Sequence, residues 1–430
     1  MRLRAGRPAP RWLYPLLLAL PFLVGIAALK GLTVEIETFH GSDARVYHLP
    51  TILQFADRLD FERYPAAQTP LYHVLFALYG EIAGFELWRL RLLNAGISYG
   101  AVLVLFRLLV RRTGLEQAQA FALSLLFALS PYFLGASFTL LTDNLALLFG
   151  LVALERLDRF RDDGSLGAFA LGCLALSAAV LTRQSFAWLA LVAAFFLLRA
   201  RLPLGRRVAG VAMLALAVAP LAALVVVWGG LVPPGSDPLS CGLCTDRPGV
   251  GRDALTLRPV AFTVGLFGLY AAVLYAPVLY RRRREWRSLA AVVAPPVIAA
   301  AVLVALVPLL YQPVMPGRAG DAGYLWKVSD HLPELLGSSL LFWGLVPLGA
   351  LSLYMLVARA GPYSLPVVYF AAFLLAALPV GLVYQKYFDP FALLALALLV
   401  RPPDLETRGD YAGIALLSAG FVAYALGSGV

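Results

Sequence analysis

The sequence predicts an all-α polytopic membrane protein, and its composition and charge placement are the observations that predict it. Of the 430 residues, 61% are hydrophobic and only 14% are charged, and the mean hydropathy is +0.80. A water-soluble domain does not bury that much apolar surface. The formal charge of +10 comes mostly from arginines that fall in short blocks between apolar stretches. This pattern indicates orientation in a bilayer and argues against nucleic-acid binding.

The apolar stretches between the arginine blocks define the expected spans. Runs of roughly 17 to 25 residues predict about thirteen crossings, near 13–32, 92–110, 117–137, 142–155, 166–182, 185–198, 208–230, 260–280, 288–311, 336–358, 364–384, 388–400 and 411–427. We expect one integral membrane domain over 1–430. Its parts are an uncleaved first span (1–32), an outer loop (33–91), a helical core (92–400), and a cytoplasmic linker with the last span (401–430).

The positive-inside rule sets the orientation. It places the arginine blocks and the N-terminus in the cytoplasm, provided that the stretch Thr69 to Gly84 does not cross the bilayer. That stretch is short and carries His73 and Glu81, so it predicts a helix on the outer surface. Val46 to Ala56 together with Asp57 to Arg63 predicts a second surface helix. We expect a bacterial inner (plasma) membrane, with the functional side facing outward.

Asp43 stands at the start of the first outer loop, with Tyr47 and His48 shortly after it along a predicted helix. A carboxylate at the mouth of a membrane cavity acts as a general base when burial brings its pKa towards the working pH. Alternatively, Asp43 only caps the helix that begins at Ala44. Spacing alone favours the capping interpretation slightly.

Asp143 precedes an apolar run at the outer end of a span. Charged groups beside a span are costly and usually face a cavity or a partner. The alternative is an N-cap formed by Thr142-Asp143-Asn144, since these residue types commonly precede helices. The two interpretations are equally supported.

Cations interrupt the apolar pattern on the outer side. Arg183, followed by Gln184, divides one long apolar stretch, and its planar fork suits a phosphate or carboxylate. Lys386 and Tyr387 place a cation among aromatic residues, where it could neutralise the same phosphate. Arg89 is either a lipid-phosphate anchor or part of an anion-binding wall. The alternative for Arg183 and Lys386 is an interfacial cation that reaches the water or the lipid headgroups.

The three cysteines do not form a disulfide framework. Cys173 lies in an apolar span, which predicts inert packing. Cys241 and Cys244 share one outer loop with no second cysteine pair and no nearby histidine, which argues against zinc. In an oxidising space we expect a disulfide between them. No metal ligands are assigned.

The order of several short motifs resembles a known class, the GT-C membrane glycosyltransferases. The likeness begins with an outward Asp43 after the first span. It is most similar to the terminal alpha-1,2-glucosyltransferases of N-glycan precursor assembly, and more distantly to protein O-mannosyltransferases and lipid A aminoarabinose transferases. The motifs that carry it are His48-Leu49-Pro50, Thr69-Pro70-Leu71-Tyr72, Thr142-Asp143, Arg183-Gln184-Ser185-Phe186-Ala187-Trp188 and Lys386-Tyr387-Phe388.

The resemblance implies a GT-C fold and a polyprenyl-phosphate-linked sugar as donor, with membrane lipids around it and a glycan, lipid or protein as acceptor. Asp43 would be the base of an inverting transfer, and Asp143 would orient the acceptor or a first-loop residue. The substrate-binding positions would be Tyr47, His48, Arg89, Arg183, Gln184, Lys386 and Tyr387. No cofactor is implied with certainty, and a divalent metal is left open.

Two departures limit what the resemblance says about the sugar. The acidic pair of the class is Asp43-Ala44 here, with one carboxylate, and Thr69 stands where the aminoarabinose transferases have Lys before Pro. Two other functions compete. A transporter or flippase for a lipid-linked or anionic solute would explain Arg183 within an apolar stretch, although the absence of an internal repeat weighs against it. A non-catalytic assembly partner would not require outward carboxylates.

Overall fold

The computed structural model describes residues 10, 12–29, 43–234, 236, 256–281, 290–309, 323–380 and 383–428. Over these ranges the chain is helical apart from loops and one short antiparallel hairpin, in which β1 (Glu334–Leu335) pairs with β2 (Ser338–Ser339). The predicted helical class is therefore confirmed. The positions Cys241 and Cys244 lie outside the described residues, and Cys173 is a buried, unpaired thiol.

Eighteen α-helices are described. They are α1 (Leu13–Leu17), α2 (Leu20–Ala28), α3 (Leu49–Asp57), α4 (Leu71–Ala83), α5 (Leu87–Thr113), α6 (Gln117–Ala128), α7 (Pro131–Ser137), α8 (Asp143–Asp163), α9 (Leu166–Thr182), α10 (Trp188–Arg199), α11 (Leu204–Trp228), α12 (Arg258–Arg281), α13 (Ala290–Leu306), α14 (Tyr324–Ser329), α15 (Leu340–Ala360), α16 (Leu365–Ala377), α17 (Asp389–Leu399) and α18 (Ala412–Ser428). A π-helix covers Ala44–His48, and 3₁₀ turns cover Gln184–Ala187, Gln385–Tyr387, Pro402–Asp404 and Arg408–Tyr411.

Several of these helices have the length and apolarity of membrane spans. Within the described residues five qualify, and α6 with α7 would make a sixth if the pair is one span. The five are Leu87–Thr113, Leu204–Trp228, Arg258–Pro277, Leu340–Ala360 and Arg408–Gly427. Other apolar helices, including α4, α9 and α10, are shorter. The chain is an integral membrane protein, and the total of about thirteen crossings stays a prediction.

One predicted span is broken. The stretch 117–137 forms α6 and α7, separated at Leu129 and Ser130. Pro131 explains the break, because proline has no N–H to continue the helical hydrogen bonds and it disfavours helical backbone at the residue before it. Proline is instead favourable at the first position of the new helix.

The second predicted surface helix is shorter than expected. The π-helix and α3 cover Ala44 to Asp57, but the following segment up to Arg63 is not helical. Arg58 is extended, and the Asp60 carboxylate accepts the backbone N–H groups of Glu62 and Arg63 at 3.0 and 3.2 Å. This side-chain turn competes with the helix and ends it.

The chain divides into two compact units, and the prediction of one domain remains untested. Unit I comprises Leu16–Leu108, Phe133–Pro248 and Ala425–Val430, and unit II comprises Met1–Pro15, Leu109–Tyr132 and Gly249–Tyr424. In unit I, α9 packs along α8 and against α11, while α3 packs on α4.

An apolar cluster in unit I holds the first loop in place. Its buried members are Ala44, Ile52, Phe55, Tyr64, Ala66, Tyr72, Phe76, Ala77, Leu90, Leu140, Leu145 and Trp228. Residues from the π-helix, α3 and α4 thus pack with residues on both sides of Asp143 and with the end of α11. The Trp228 indole also donates to the Phe61 carbonyl at 2.7 Å. This cluster positions the first-loop polar residues.

Candidate functional site

Arg183 and Asp143 form an ion pair in unit I. The Arg183 Nη1 atom lies 2.7 Å from Asp143 Oδ2 and 3.2 Å from Thr142 Oγ1. The side chains are 14% and 29% exposed, respectively, so the pair is mostly withdrawn from water. Thr142 occupies the N-cap position of α8, but no side chain caps that helix. Asp143 thus pairs with the arginine, and a side-chain cap at this helix start is not observed.

α9 ends before Arg183 because the backbone of Arg183 is extended. Its φ and ψ of −155° and 113° are extended, which stops the helix after Thr182, and a 3₁₀ turn follows. Because the backbone leaves the helix here, the Arg183 side chain reaches Asp143 at the first turn of α8. The side chain is paired with a carboxylate, which differs from an arginine extended towards lipid headgroups.

Gln184 connects this break to the first loop. Its Nε2 donates to the carbonyls of Ala67 at 2.7 Å and Leu231 at 3.2 Å, and its Oε1 accepts the Thr69 N–H at 3.3 Å. The Thr69 hydroxyl donates to the Val180 carbonyl at 2.7 Å. Both ends of the Gln184 amide are thus used by backbone groups. Gln184 was predicted to bind substrate, and its observed contacts dock the loop.

His48 and His73 form a buried imidazole pair. His48 Nδ1 and His73 Nε2 are 2.9 Å apart, and the residues are 3% and 0% exposed. Burial, and then the neighbouring His48, lower the pKa of His73 well below its usual value. His73 is therefore neutral at physiological pH. From the sequence His73 stood out only as a polar residue, although three of the four histidines fall in the first loop.

Tyr72 is a buried donor beside the ion pair. Its side chain is fully buried, and its hydroxyl has no hydrogen-bond partner among the residues that the structure describes. Burial, followed by the negative charge of Asp143, raises the pKa of Tyr72 well above its usual value. The hydroxyl therefore keeps its proton. A ligand oxygen at this position would satisfy a donor that is costly to leave unpaired.

Asp43 is followed in the sequence by residues that pack in the apolar cluster of unit I. It precedes the π-helix and is half-buried, and its side chain makes no capping hydrogen bond. The next residue, Ala44, belongs to the apolar cluster that contains Tyr72 and Leu145. Tyr47 packs against that cluster, and its carbonyl accepts the Thr51 hydroxyl at 2.7 Å. The capping role considered for Asp43 is not observed.

Arg89 has protein contacts at the end of α4. It pairs with Glu86 at 3.1 Å, donates to the Ala83 carbonyl and lies 5.2 Å from the centre of the Trp88 ring. These contacts close the turn at Gly84, whose φ of +95° favours glycine. The proposed anion-binding role of Arg89 stays a prediction.

Lys386 and Tyr387 lie in unit II, in the 3₁₀ turn that precedes α17. The Lys386 Nζ atom lies 5.2 Å from the centre of the Tyr387 ring. Both side chains are half-buried, and the aromatic contact is a cation–π interaction. Whether Lys386 shares a phosphate with Arg183 stays a prediction.

Unit II contains a buried carboxylate that the sequence analysis did not identify. Asp389 is fully buried and accepts hydroxyls from Ser130 at 2.5 Å, from Tyr324 at 3.3 Å and from Tyr270. The neighbouring Gln385 accepts the Leu325 N–H at 3.0 Å. An aspartate followed by proline before an apolar run is the sequence signal for this residue. Its contacts fix the segment that carries Lys386.

The described part of the chain contains no evident site for a bound metal ion. No three of its His, Cys, Asp and Glu side chains lie together in a way that could hold an ion. His48 and His73 are two nitrogen ligands without a third, and Asp143 is paired with Arg183.

Comparisons with known proteins assign no family. No protein-family model matches the chain, and no curated protein matches it. Two crystal structures of ArnT from Cupriavidus metallidurans resemble it. The apo form is 16% identical with a TM-score of 0.38, over 94% of this chain and 77% of that one. The form bound to undecaprenyl phosphate is 14% identical with a TM-score of 0.40, over 96% and 77%. At these TM-scores the likeness carries no argument about fold or function.

Proposed function

We propose that this chain is a GT-C-type membrane glycosyltransferase that moves a sugar, a hexose such as glucose, from a polyprenyl-phosphate carrier to an acceptor hydroxyl. The acceptor is a glycan, a lipid or a protein. The reaction takes place on the non-cytoplasmic side of a bacterial inner membrane, and the N-terminus is cytoplasmic. Lipid-linked donors need a groove between helices for their apolar tail, which agrees with a membrane-embedded fold.

One observation carries the proposal, namely that the first-loop motif and the Arg183-Gln184 motif meet within unit I. Gln184 is hydrogen bonded to the backbone of Ala67 and Thr69, more than a hundred residues earlier in the chain. Arg183 pairs with Asp143, and Asp143 acts electrostatically on Tyr72. Motifs that carry the GT-C resemblance therefore occupy one neighbourhood, as a shared site requires.

The proposed chemistry needs one base and several cations. Asp43 accepts the proton of the acceptor hydroxyl while that oxygen forms a bond to the anomeric carbon. The bond between this carbon and the phosphate oxygen breaks, and its electron pair leaves with the polyprenyl phosphate. Direct attack inverts the anomeric centre. A phosphate neutralised by cations is already a good leaving group, so no strong general acid is needed.

Each candidate residue has a role in this scheme. Arg183 binds the phosphate, and Asp143 orients Arg183 together with the acceptor. Lys386 is proposed as a phosphate-binding cation of unit II. Tyr47 and Tyr387 contact the substrates, whereas His48 is buried against His73. Arg89 is proposed for the anion-binding wall, and Gln184 is proposed to hold the first loop beside the substrate. These roles are proposed from residue chemistry and the resemblance.

The experiment is a transfer assay on the full chain in detergent micelles. The donor is undecaprenyl-phosphate glucose labelled in the sugar, with the corresponding mannose, galactose and aminoarabinose donors for comparison. A bacterial membrane extract supplies acceptors. We expect release of undecaprenyl phosphate together with label in a new glycosidic product. Proteoliposomes that move the labelled donor across the bilayer without forming that product would instead support a flippase.

A further inference from the structure

We propose that His73 fixes the position of the proton on His48, and that His48 in turn holds the Asp43 carboxylate in the orientation needed to accept a proton. His48 and His73 are positioning residues in this account. The inference rests on the proposed function for the role of Asp43. The geometry of the imidazole pair can be tested without it.

The two imidazoles meet edge to edge. His48 Nδ1 and His73 Nε2 are 2.9 Å apart, which is a hydrogen-bond distance. The ring planes differ by 17° and the ring centres are 5.2 Å apart, so the rings are nearly parallel and separated along the hydrogen bond. One of these two nitrogens must carry the shared proton, and the other must present a lone pair.

The surroundings of His73 decide which nitrogen donates. Its other nitrogen, Nδ1, is buried and has no hydrogen-bond partner among the described residues. A buried N–H left unpaired costs about 1–3 kcal/mol, whereas an unpaired acceptor is tolerated more often. We therefore assign the His73 proton to Nε2, so that only a lone pair is unmet at Nδ1. His73 donates, and His48 accepts at Nδ1.

This assignment determines the protonation of His48. A nitrogen that accepts a hydrogen bond carries no proton, so a neutral His48 has its proton on Nε2. Nε2 is then a hydrogen-bond donor. The hydrogen bond from His73 thus selects one tautomer of His48. In histidines generally, the hydrogen bond made by one ring nitrogen determines whether the other nitrogen carries the proton.

The π-helix places His48 on the same side of the helix as Asp43. The Leu49 N–H donates to the Ala44 carbonyl, a separation of five residues that defines this helix. Asp43 and His48 have the same separation, and Asp43 has helical φ and ψ of −58° and −42°. In an α-helix, residues five apart would differ by about 140° around the axis. The π-helical turn instead brings Asp43 and His48 to the same side, one turn apart.

The chemical consequence concerns the Asp43 carboxylate. An imidazole N–H that donates to a carboxylate orients it and favours its ionised form. An ionised, oriented carboxylate is what a general base requires. The inferred sequence of interactions therefore runs from His73 in α4 to His48, through the observed hydrogen bond, and then to Asp43, one π-helical turn away. Single-turn π-helical segments frequently occur at functional sites, which agrees with this arrangement.

The first test is nitrogen NMR of histidine-labelled full-length protein in nanodiscs at neutral pH. Spectra of His48→Gln and His73→Gln assign the two signals among the four histidines. We expect a neutral His48 with its proton on Nε2 in the wild-type protein. A proton on His48 Nδ1, or a cationic His48, would overturn the assignment. This measurement needs no activity.

The second test is kinetic and uses a pair of His73 variants. His73→Phe keeps a ring but removes the donor, whereas His73→Gln supplies an amide donor to His48 Nδ1. We expect His73→Phe to lower kcat for sugar transfer by about tenfold to a hundredfold with little change in KM for the donor. His73→Gln should restore most of kcat. A His331→Phe variant, altered at an exposed histidine, is the matched control.

The outcomes separate the inference from the proposed function. If both His73 variants transfer sugar at the wild-type rate, the positioning role is wrong while the glycosyltransferase stands. If both lose activity equally and unfold at lower temperature, the pair is merely structural and the inference is wrong. If the wild-type protein transfers no sugar, the proposed function and the Asp43 role fall together, and the NMR result still decides the tautomer.

Discussion

Arg183 donates from Nη1 to Asp143 Oδ2 at 2.7 Å, joining the end of α9 to the start of α8. The two residues are forty positions apart in the chain, and each stands at an interruption of an apolar stretch. The pair compensates two charges that would be costly individually next to the bilayer. Asp143 also acts electrostatically on the buried Tyr72 hydroxyl, so the pair and this unpaired hydroxyl belong to the neighbourhood proposed to bind an anion.

The stability contribution of this pair can be measured. Replacing Asp143 by Asn should lower the free energy of unfolding by about 1–3 kcal/mol, because Arg183 loses its charged hydrogen-bond partner in a largely buried position. The matched control is Asp163→Asn, which breaks an exposed pair with Arg159 and should cost less than about 1 kcal/mol. Thermal and denaturant unfolding in the same detergent would measure both. Equal losses for the two variants would contradict the account.

Phosphate binding by Arg183 makes a separate prediction. Arg183→Gln should lower kcat/KM for the lipid-linked donor by about a hundredfold to a thousandfold, because a charged donor to the leaving phosphate is lost. It should also weaken inhibition by free undecaprenyl phosphate. Arg159→Gln is the control, since Arg159 is an exposed arginine of the same unit. Unchanged inhibition by undecaprenyl phosphate in Arg183→Gln would remove Arg183 from the phosphate site.

Docking of the first loop should depend on Gln184 and Thr69 together. Gln184→Leu and Thr69→Val each remove hydrogen bonds between the loop and the end of α9, and each should cost about 1 kcal/mol. Because both hold the same segment, their effects should be non-additive by at least about 0.5 kcal/mol. Hydrogen exchange at residues 66–69 should increase in both variants. Thr113→Val is the control, since the Thr113 hydroxyl bonds within its own helix.

Burial of His73 predicts a pH dependence of stability. Its pKa in the folded protein lies well below the usual 6.5, first because of burial and then because of His48. Below pH 6.5 the unfolded chain therefore binds a proton that the folded protein does not, so stability is complete above that pH and is lost as the pH falls. Relative to wild type, His73→Gln should flatten the dependence by up to about 1.4 kcal/mol per pH unit. Identical slopes for wild type and His73→Gln would show that His73 titrates normally.

The sequence was sufficient for the helical class and for many helix positions. Long apolar runs between arginine blocks predicted α9, α10 and α17 to within a few residues, because apolar length and flanking charge are local properties. The break at Pro131 was missed because an apolar average over 117–137 does not register a single residue that lacks an N–H. The turn at Asp60 was missed for a related reason, since one side-chain acceptor outweighed helix propensity.

The candidate site was only partly predictable. Arg183 and Asp143 were recognised individually because charges in apolar stretches require a partner, but their pairing depends on how α8 and α9 pack. The pair of His48 with His73, and the contacts of Asp389, join distant segments through side-chain geometry that spacing does not encode. Likewise, the spacing of Asp43 and His48 suggested an ordinary helix, and only the backbone reveals the five-residue turn.

The most direct test of the central claim is the sugar-transfer rate of Asp43→Asn. This variant keeps the size of the side chain but removes the base, so the account predicts loss of transfer by at least about a hundredfold with unchanged folding and donor binding. Asp57→Asn, at an exposed aspartate of the same loop, should transfer sugar at the wild-type rate. An Asp43→Asn protein that transfers sugar as fast as wild type would contradict the account.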